Sequence, residues 1–267
     1  MTNTTNLRSE HAPSARVERQ LREQFTFQLS VDTDNLPQGL VAGAAGVAAG
    51  VTIVEMGTPL IKCEGAKNVV PAFRQRFPEA LLLADMKTMD GGAGEARVVF
   101  AGGGNIIDFL ALAGAATAKA ICRVRDEFRA ADTEQPRLVF ADLLLPQLGE
   151  RAVEVAQEML EAGVDGIGVH LQSDARTANP DLFRSGYLAD MAETIHQAVG
   201  KHASVQVVGG LTVEQACGLA QTGLRAFVIS ANLGANDSVF RLGIAQEEME
   251  QRITAFMQQV RATSINV

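Results

Sequence analysis

The sequence predicts an α/β protein of the (β/α)8 type, a TIM barrel, and three observations carry that prediction. Short runs of β-branched and aliphatic residues alternate with longer Ala-, Glu- and Leu-rich segments of helical spacing. Eight such units fit into roughly 240 residues, the usual size of this barrel. Most of the strand-like runs lead into polar or ionisable residues, and barrels of this kind build their sites at those ends. A doubly wound open sheet shares the alternation, so the count of eight decides between the two.

In chain order, Phe25–Val31 leads to a helical segment over 37–49, Val51–Val54 to 64–76 and Ala80–Ala84 to 92–101. Ile106–Leu112 leads to 115–130, Arg137–Ala141 to 148–162 and Gly166–Val169 to 187–200. Ser204–Val208 leads to 212–222 and Arg225–Ile229 to 238–261. In the fifth helix Val153, Ala156, Met159 and Leu160 share one face, with Glu150, Arg151, Glu154 and Glu158 opposite. Gly50, Gly163 and Gly223 punctuate helix ends as C-terminal caps, and Thr212 with Gln215 forms a capping box for the seventh helix. Residues 1–23 lack apolar periodicity and read as a polar N-terminal extension to a barrel domain over 24–267. A frayed tail and a helix packed on the body or on a partner subunit both suit that extension.

Composition narrows the function. The chain has 267 residues, 47% of them hydrophobic, which is enough to bury a large core without disulfides. Cys63, Cys122 and Cys217 are odd in number, widely spaced and without a CxxC pair, as expected in a reducing compartment. Thirty-one acidic residues against 23 basic ones give a net charge of −8, with no basic cluster for a nucleic-acid backbone. No apolar h-region follows the N-terminal arginines, and the run Leu40–Val54 is shorter than the roughly 18–20 residues that span a bilayer. A cytoplasmic protein that contacts neither membrane nor nucleic acid is expected.

The residues at the strand ends are Asp32, Glu55, Asp85, Asp142, His170 and the pair Gly209–Gly210. One carboxylate after a strand is ordinarily a helix N-cap, but several ionisable ends converging on one mouth are not explained that way. In Ala84-Asp85-Met86-Lys87-Thr88-Met89-Asp90, the two-residue strand period directs Asp85 and Lys87 together into the mouth. An ammonium beside carboxylates stays charged and stabilises negative charge that develops on an enediolate or carbanion. Glu55 and Asp85 end neighbouring strands, and two carboxylates so placed could hold one Mg²⁺ with water in the remaining positions. His170 is a candidate general base, because imidazole is the side chain that exchanges protons most readily near neutrality. Gly209-Gly210-Leu211-Thr212 follows the seventh strand and opens a helix, where backbone N–H groups can approach a phosphate. Gly102-Gly103-Gly104 precedes a strand, at the opposite end of the barrel, and reads as a loop. Zinc spacing, nucleophile elbow, P-loop and dinucleotide fingerprint are all absent from the sequence.

Taken together, Val31-Asp32, Ile53-Val54-Glu55-Met56-Gly57-Thr58-Pro59-Leu60-Ile61-Lys62, Ala84–Asp90, Gly168-Val169-His170 and Val208-Gly209-Gly210-Leu211 resemble the 3-hexulose-6-phosphate synthases. That family lies within the orotidine-5′-monophosphate decarboxylase suprafamily, beside the 3-keto-L-gulonate-6-phosphate decarboxylases. The resemblance spans roughly residues 25 to 260 and implies a homodimeric, Mg²⁺-dependent barrel with shared active sites. It implies metal binding by Glu55 and Asp85, an enediolate-stabilising Lys87, and an Asp90 that reaches the partner subunit's site. Asp32 would hold Lys87 and substrate hydroxyls, His170 would move the proton, and Asp142 stands as the next candidate for that role. The implied reaction adds formaldehyde to D-ribulose 5-phosphate, or reverses that addition. Decarboxylation of a 3-keto sugar-acid phosphate, or sugar-phosphate binding without turnover, are the alternatives on the same scaffold. At the phosphate end, Gly209 and Gly210 match the family, whereas the eighth strand runs into Ser230 and Ala231 where relatives carry Gly-Gly or Gly-Arg.

Overall fold

The computed structural model describes residues 13–184, 186–230 and 242–263. Eight parallel strands close into one barrel in sequence order: β1 (Thr26–Val31), β2 (Ile53–Met56), β3 (Leu81–Thr88), β4 (Ile106–Leu110), β5 (Leu138–Leu144), β6 (Gly166–His170), β7 (Ser204–Val208) and β8 (Ala226–Ser230). Parallel pairing runs around the whole ring, which closes where β1 pairs β8 through Phe27 and Phe227. The expected (β/α)8 barrel is therefore the fold.

The connecting helices follow the sequence pattern closely. Leu36–Ala49 starts on an Asn35 cap, carries a proline in its first turn and ends on Gly50 in the left-handed conformation. The Thr212–Gln215 capping box opens Val213–Gln221. Three segments differ from expectation. The helix expected over 148–162 runs from Ala152 to Glu161, after a short helix Leu145–Leu148 and a 3-10 turn Gly149–Arg151 that holds Glu150 and Arg151. The stretch 64–76 is the end of one helix, Thr58–Glu64, and a second, Ala66–Arg76, because Gly65 sits between them at φ 81°. The last helix is described from Gln246 to Arg261, and the expected start at 238–241 lies outside the described residues.

Side-chain alternation divides the barrel interior into a dry and a polar half. On β2 to β5 the inward positions Ile53, Leu83, Ile106 and Phe140 lie toward the strand starts, and two residues later come Glu55, Asp85, Asp108 and Asp142. Phe140 fills the lower interior so completely that a Cβ on Gly166, the facing residue of β6, would lie 2.5 Å from its ring. The lower mouth is closed by the helix Pro13–Glu23. Its Ser14, Val17 and Leu21 share one face at helical spacing, and Val17 and Leu21 join Ile53, Leu83, Ile106, Leu138 and Phe140 in one apolar cluster. Ser14 Oγ accepts from the Arg137 backbone N–H at 3.1 Å, and Ser204 Oγ donates to the Leu21 carbonyl at 3.2 Å. This part of the N-terminal extension is thus a packed helix on the barrel floor.

The floor is also tied by charge. Buried Asp165, immediately before β6, accepts from Arg125 at 2.7 Å, Arg129 at 3.2 Å and the Val139 backbone N–H at 2.8 Å. Arg129 reaches on to Glu18 of the N-terminal helix at 2.8 Å. No helix among the described residues is long and apolar enough to cross a membrane, and all three cysteines are free.

Candidate active site

The polar half of the interior opens at the strand C-termini, and Lys87 stands at its centre. Its Nζ donates to both carboxylate oxygens of Asp85, at 2.7 and 2.6 Å, and lies 3.0 Å from Asp142 Oδ2. The same Asp142 oxygen is 2.8 Å from His170 Nδ1. A lysine–carboxylate–histidine chain therefore runs from β3 across β5 to β6. Asp85 and Lys87 meet as the sequence predicts, but strand alternation alone does not bring them together. Register slips between Asp85 and Thr88, which pair with the consecutive residues Asp108 and Phe109 of β4, so β3 bulges. Lys87, inside that bulge, is the one non-glycine residue with positive φ among the described residues, at 47°.

A second polar chain crosses the opposite wall. Gln206 Nε2 donates to Gln28 Oε1 at 2.9 Å, and Gln28 Nε2 donates to Glu55 Oε2 at 2.6 Å. Ser30 Oγ lies 2.9 Å from both Glu55 Oε1 and Asp32 Oδ2. Thr58 Oγ1 donates to Asp85 Oδ2 at 2.7 Å.

The electrostatics are those of a crowded anionic pocket. Burial, reinforced by the negative fields of Asp85 and Asp32, pushes the Glu55 carboxyl up to about 8. Burial raises Asp32 as well, and it raises Asp108 far above the usual carboxylate range with help from Asp142 and Asp85. Ser30 has one hydroxyl proton to share between the two carboxylates. Asp142 goes the other way: burial opposes its charge, but His170 and Lys87 outweigh it and hold the carboxyl low. Burial likewise works against the Lys87 charge, and Asp85, Asp142 and Asp108 overcome it, holding the ammonium well above its ordinary value.

Six of the residues singled out in the sequence are thus gathered in one place: Asp32, Glu55, Asp85, Lys87, Asp142 and His170. Asp90 is not among them; it is exposed beyond β3, its carboxylate accepting from the Gly91 N–H at 2.7 Å. Gly209 and Gly210 follow β7 directly and Ser230 ends β8, while Ala231 lies outside the described residues. Sequence reasoning passed over Asp108, Gln28, Ser30 and Thr58. Asp108 had a signal available, since it stands two residues after inward-facing Ile106.

The donor set suits a divalent cation. Asp108 Oδ1 and Asp142 Oδ1 are buried without a hydrogen-bond partner, and burial together with the neighbouring carboxylate Asp85 raises Glu55 and Asp32. Among the described residues no three His, Cys, Asp or Glu side chains are disposed as a metal cage. Mg²⁺ does not require one, because it commonly takes one or two carboxylates and fills its remaining positions with water and substrate oxygens.

Fold and site together define the class: an α/β barrel with ionisable side chains concentrated at the C-terminal ends of its strands. The chain belongs to the orotidine 5′-phosphate decarboxylase/HUMPS family, whose sequence profile matches residues 26–223. A 3-hexulose-6-phosphate synthase of Methylomonas aminofaciens is 30% identical over 198 residues, covering 74% of this chain and 86% of its own. One from Mycobacterium gastri is 32% identical over 164 residues, 61% of this chain and 73% of its own. Among solved structures, a 3-keto-L-gulonate-6-phosphate decarboxylase of Vibrio cholerae superposes with a TM-score of 0.69 at 25% identity, covering 91% of this chain and 99% of its own.

Proposed function

We propose that this chain is a carbon–carbon lyase of the aldolase type, joining formaldehyde to D-ribulose 5-phosphate or reversing that addition. The observation that carries the reading is the chain Lys87–Asp142–His170, which places a fixed positive charge and a proton-transfer group on one carboxylate. Asp142 on Nδ1 fixes the imidazole orientation and leaves Nε2 to face the substrate. His170 removes the proton from the carbon beside the carbonyl, leaving an enediolate whose negative oxygen is met by the Lys87 ammonium. The carbanionic carbon then attacks the aldehyde carbon, one C–C bond forms, and the former aldehyde oxygen takes up a proton. Asp32, on the far side of the pocket, is placed to accept from substrate hydroxyls. Mg²⁺ is the expected cofactor, with Glu55 and Asp85 as its carboxylate ligands; when bound it supplies Lewis-acid stabilisation of anionic oxygen. The exposed Asp90 suits a homodimer in which that carboxylate serves the neighbouring site. A cytoplasmic setting fits this chemistry.

A second reading, decarboxylation of a 3-keto sugar-acid phosphate, is favoured by relatives of that name, including a probable 3-keto-L-gulonate-6-phosphate decarboxylase of Haemophilus influenzae at 25% identity. Both reactions need the same enediolate, so the site alone accommodates either. The test is direct. The protein is incubated with Mg²⁺, ribulose 5-phosphate and formaldehyde, and loss of formaldehyde is followed beside CO₂ release from 3-keto-L-gulonate 6-phosphate. Formaldehyde consumption is the expected result. CO₂ release alone would establish the second reading, and neither activity would indicate a sugar-phosphate-binding protein without turnover.

A further inference from the structure

Asp108 is the acid of the pocket to which the proposed reaction gives no task. It pairs in register with Asp85 on the neighbouring strand β3, and both occupy inward positions of the barrel. Asp108 is 9% exposed, yet no donor among the described residues reaches its Oδ1. The lysine of the pocket has no proton left for it. Lys87 carries three ammonium protons, and Asp85 Oδ1, Asp85 Oδ2 and Asp142 Oδ2 already face its Nζ. Thr58 Oγ1 is likewise spent on Asp85. A buried anionic oxygen is costly unless a cation or a polar group of a ligand meets it. Of the pocket acids, only Asp108 and Asp142 carry such an oxygen among the described residues, so the unmet acceptors lie on β4 and β5.

Glu55 differs from Asp108 on both counts. It pairs in register with Leu83, two residues before Asp85, and its two oxygens are already met by Ser30 and Gln28. Asp85 keeps some capacity: a carboxylate has about four acceptor sites, and Lys87 and Thr58 engage both oxygens of Asp85 without filling Oδ1. A divalent cation such as Mg²⁺ commonly takes one or two protein carboxylates and completes its shell with water and substrate oxygens. Two acids on paired strands, one with room on Oδ1 and the other with an unmet Oδ1, supply that number. We propose that Asp108 is a cation ligand in this chain, acting with Asp85 from the neighbouring strand. The proposal rests on the Mg²⁺ reading above and extends the acids that face the cation from β2 and β3 to β4.

The test measures Mn²⁺ binding to the full-length protein without substrate, from loss of the free-ion electron paramagnetic resonance signal, with Mg²⁺ as competitor. Wild type, Asp108→Asn, Asp108→Ser and Glu55→Gln are compared. Asp108→Asn should weaken Mn²⁺ by at least about 10-fold, because an uncharged amide replaces an anionic ligand. Without metal the same variant should melt no lower than wild type, since it removes a buried charge that no donor meets. It should lose the rise in Tm that Mn²⁺ gives the wild type. Asp108→Ser removes both carboxylate oxygens and should repeat the loss, which keeps the test open if the amide misfolds. Equal Mn²⁺ affinity in wild type and the folded Asp108 variants overturns the assignment, and if Glu55→Gln alone loses the metal, the Mg²⁺ reading stands without Asp108. A wild type that binds no Mn²⁺ removes the cation and this inference with it. Weakened Mn²⁺ binding in Asp108→Asn, in a protein that consumes no formaldehyde, upholds the ligand and refutes the proposed reaction.

Discussion

Arg125 touches two carboxylates that differ chiefly in burial, and this allows a sharp test of what holds the barrel floor. Asp165 is 1% exposed and lies 2.7 Å from Arg125; Asp126 is 60% exposed and lies 2.9 Å from the same guanidinium. Asp165→Asn keeps the shape and the acceptor for Val139, but it removes the negative charge facing Arg125 and Arg129. Breaking a buried pair on one side costs about 3–5 kcal/mol, whereas an exposed pair is worth about 1 kcal/mol or less. At about 2–4 °C per kcal/mol for a chain of this size, Asp165→Asn should lower Tm by about 10 °C and Asp126→Asn by only a few degrees. The assay is urea unfolding at neutral pH beside thermal melts of both variants. Burial disfavours the Asp165 charge, but Arg125 and Arg129 outweigh it and hold the carboxyl low in the folded protein. The unfolded chain therefore binds more protons below the ordinary carboxylate pKa. The stability Asp165 contributes is complete above that value and is lost as pH falls toward the folded-state pKa. Asp165→Asn should flatten the acid limb of the wild-type stability curve. Variants that destabilise equally, or an acid limb unchanged in Asp165→Asn, would refute the assignment of the buried pair as the floor's electrostatic anchor.

Four further outcomes are expected. His170→Asn should retain ligand binding while turnover falls about 10²- to 10⁴-fold and solvent-deuterium exchange at the substrate α-carbon falls with it; wild-type exchange in that variant would move the role to Asp142. EDTA should abolish turnover and Mg²⁺ restore it, and full activity in metal-free protein would remove the cation from the mechanism. Mixing inactive Asp90→Ala with inactive Lys87→Ala should recover partial activity if sites are shared between subunits, whereas no recovery after verified subunit exchange would argue for self-contained sites. Leu21→Ala should cost about 2–5 kcal/mol by opening a cavity under the barrel, as seen in urea unfolding; a loss below about 1 kcal/mol would mean that the N-terminal helix is not a packed part of the core.

How far the sequence exposes this site depends on where each strand stops. The run Ala80–Ala84 marks β3 by its apolar residues, yet the strand continues to Thr88 because Asp85 and Lys87 satisfy one another inside the barrel. β2 is displaced in the same direction, ending at Met56 and so holding Glu55 within it. Polar residues that pair across an interior look, in one dimension, like the end of a strand. Asp108 was missed for the complementary reason. Apolar residues continue from Phe109 to Ala113, so the acid fell inside the expected strand and away from its end, when it lines the pocket beside Asp85. Gln28 and Ser30 alternate with Phe27, Leu29 and Val31, a two-residue period that is plain once the strand is known to line a barrel. The N-terminal helix stayed one of two alternatives because only Ser14, Val17 and Leu21 mark its buried face, and its apolar partners lie on four distant strands.

The bulge at Lys87 couples backbone strain to buried charge. A left-handed backbone costs a lysine about 1–2 kcal/mol that glycine would not incur. Removing the ammonium would leave Asp85 and Asp142 buried without their counter-charge, at a cost of about 3–5 kcal/mol that exceeds the strain relieved. Selection for thermal robustness and selection for the proposed chemistry therefore both keep a cation at position 87. Stabilising substitutions on this barrel are best sought at the floor, where packing and reactivity do not compete.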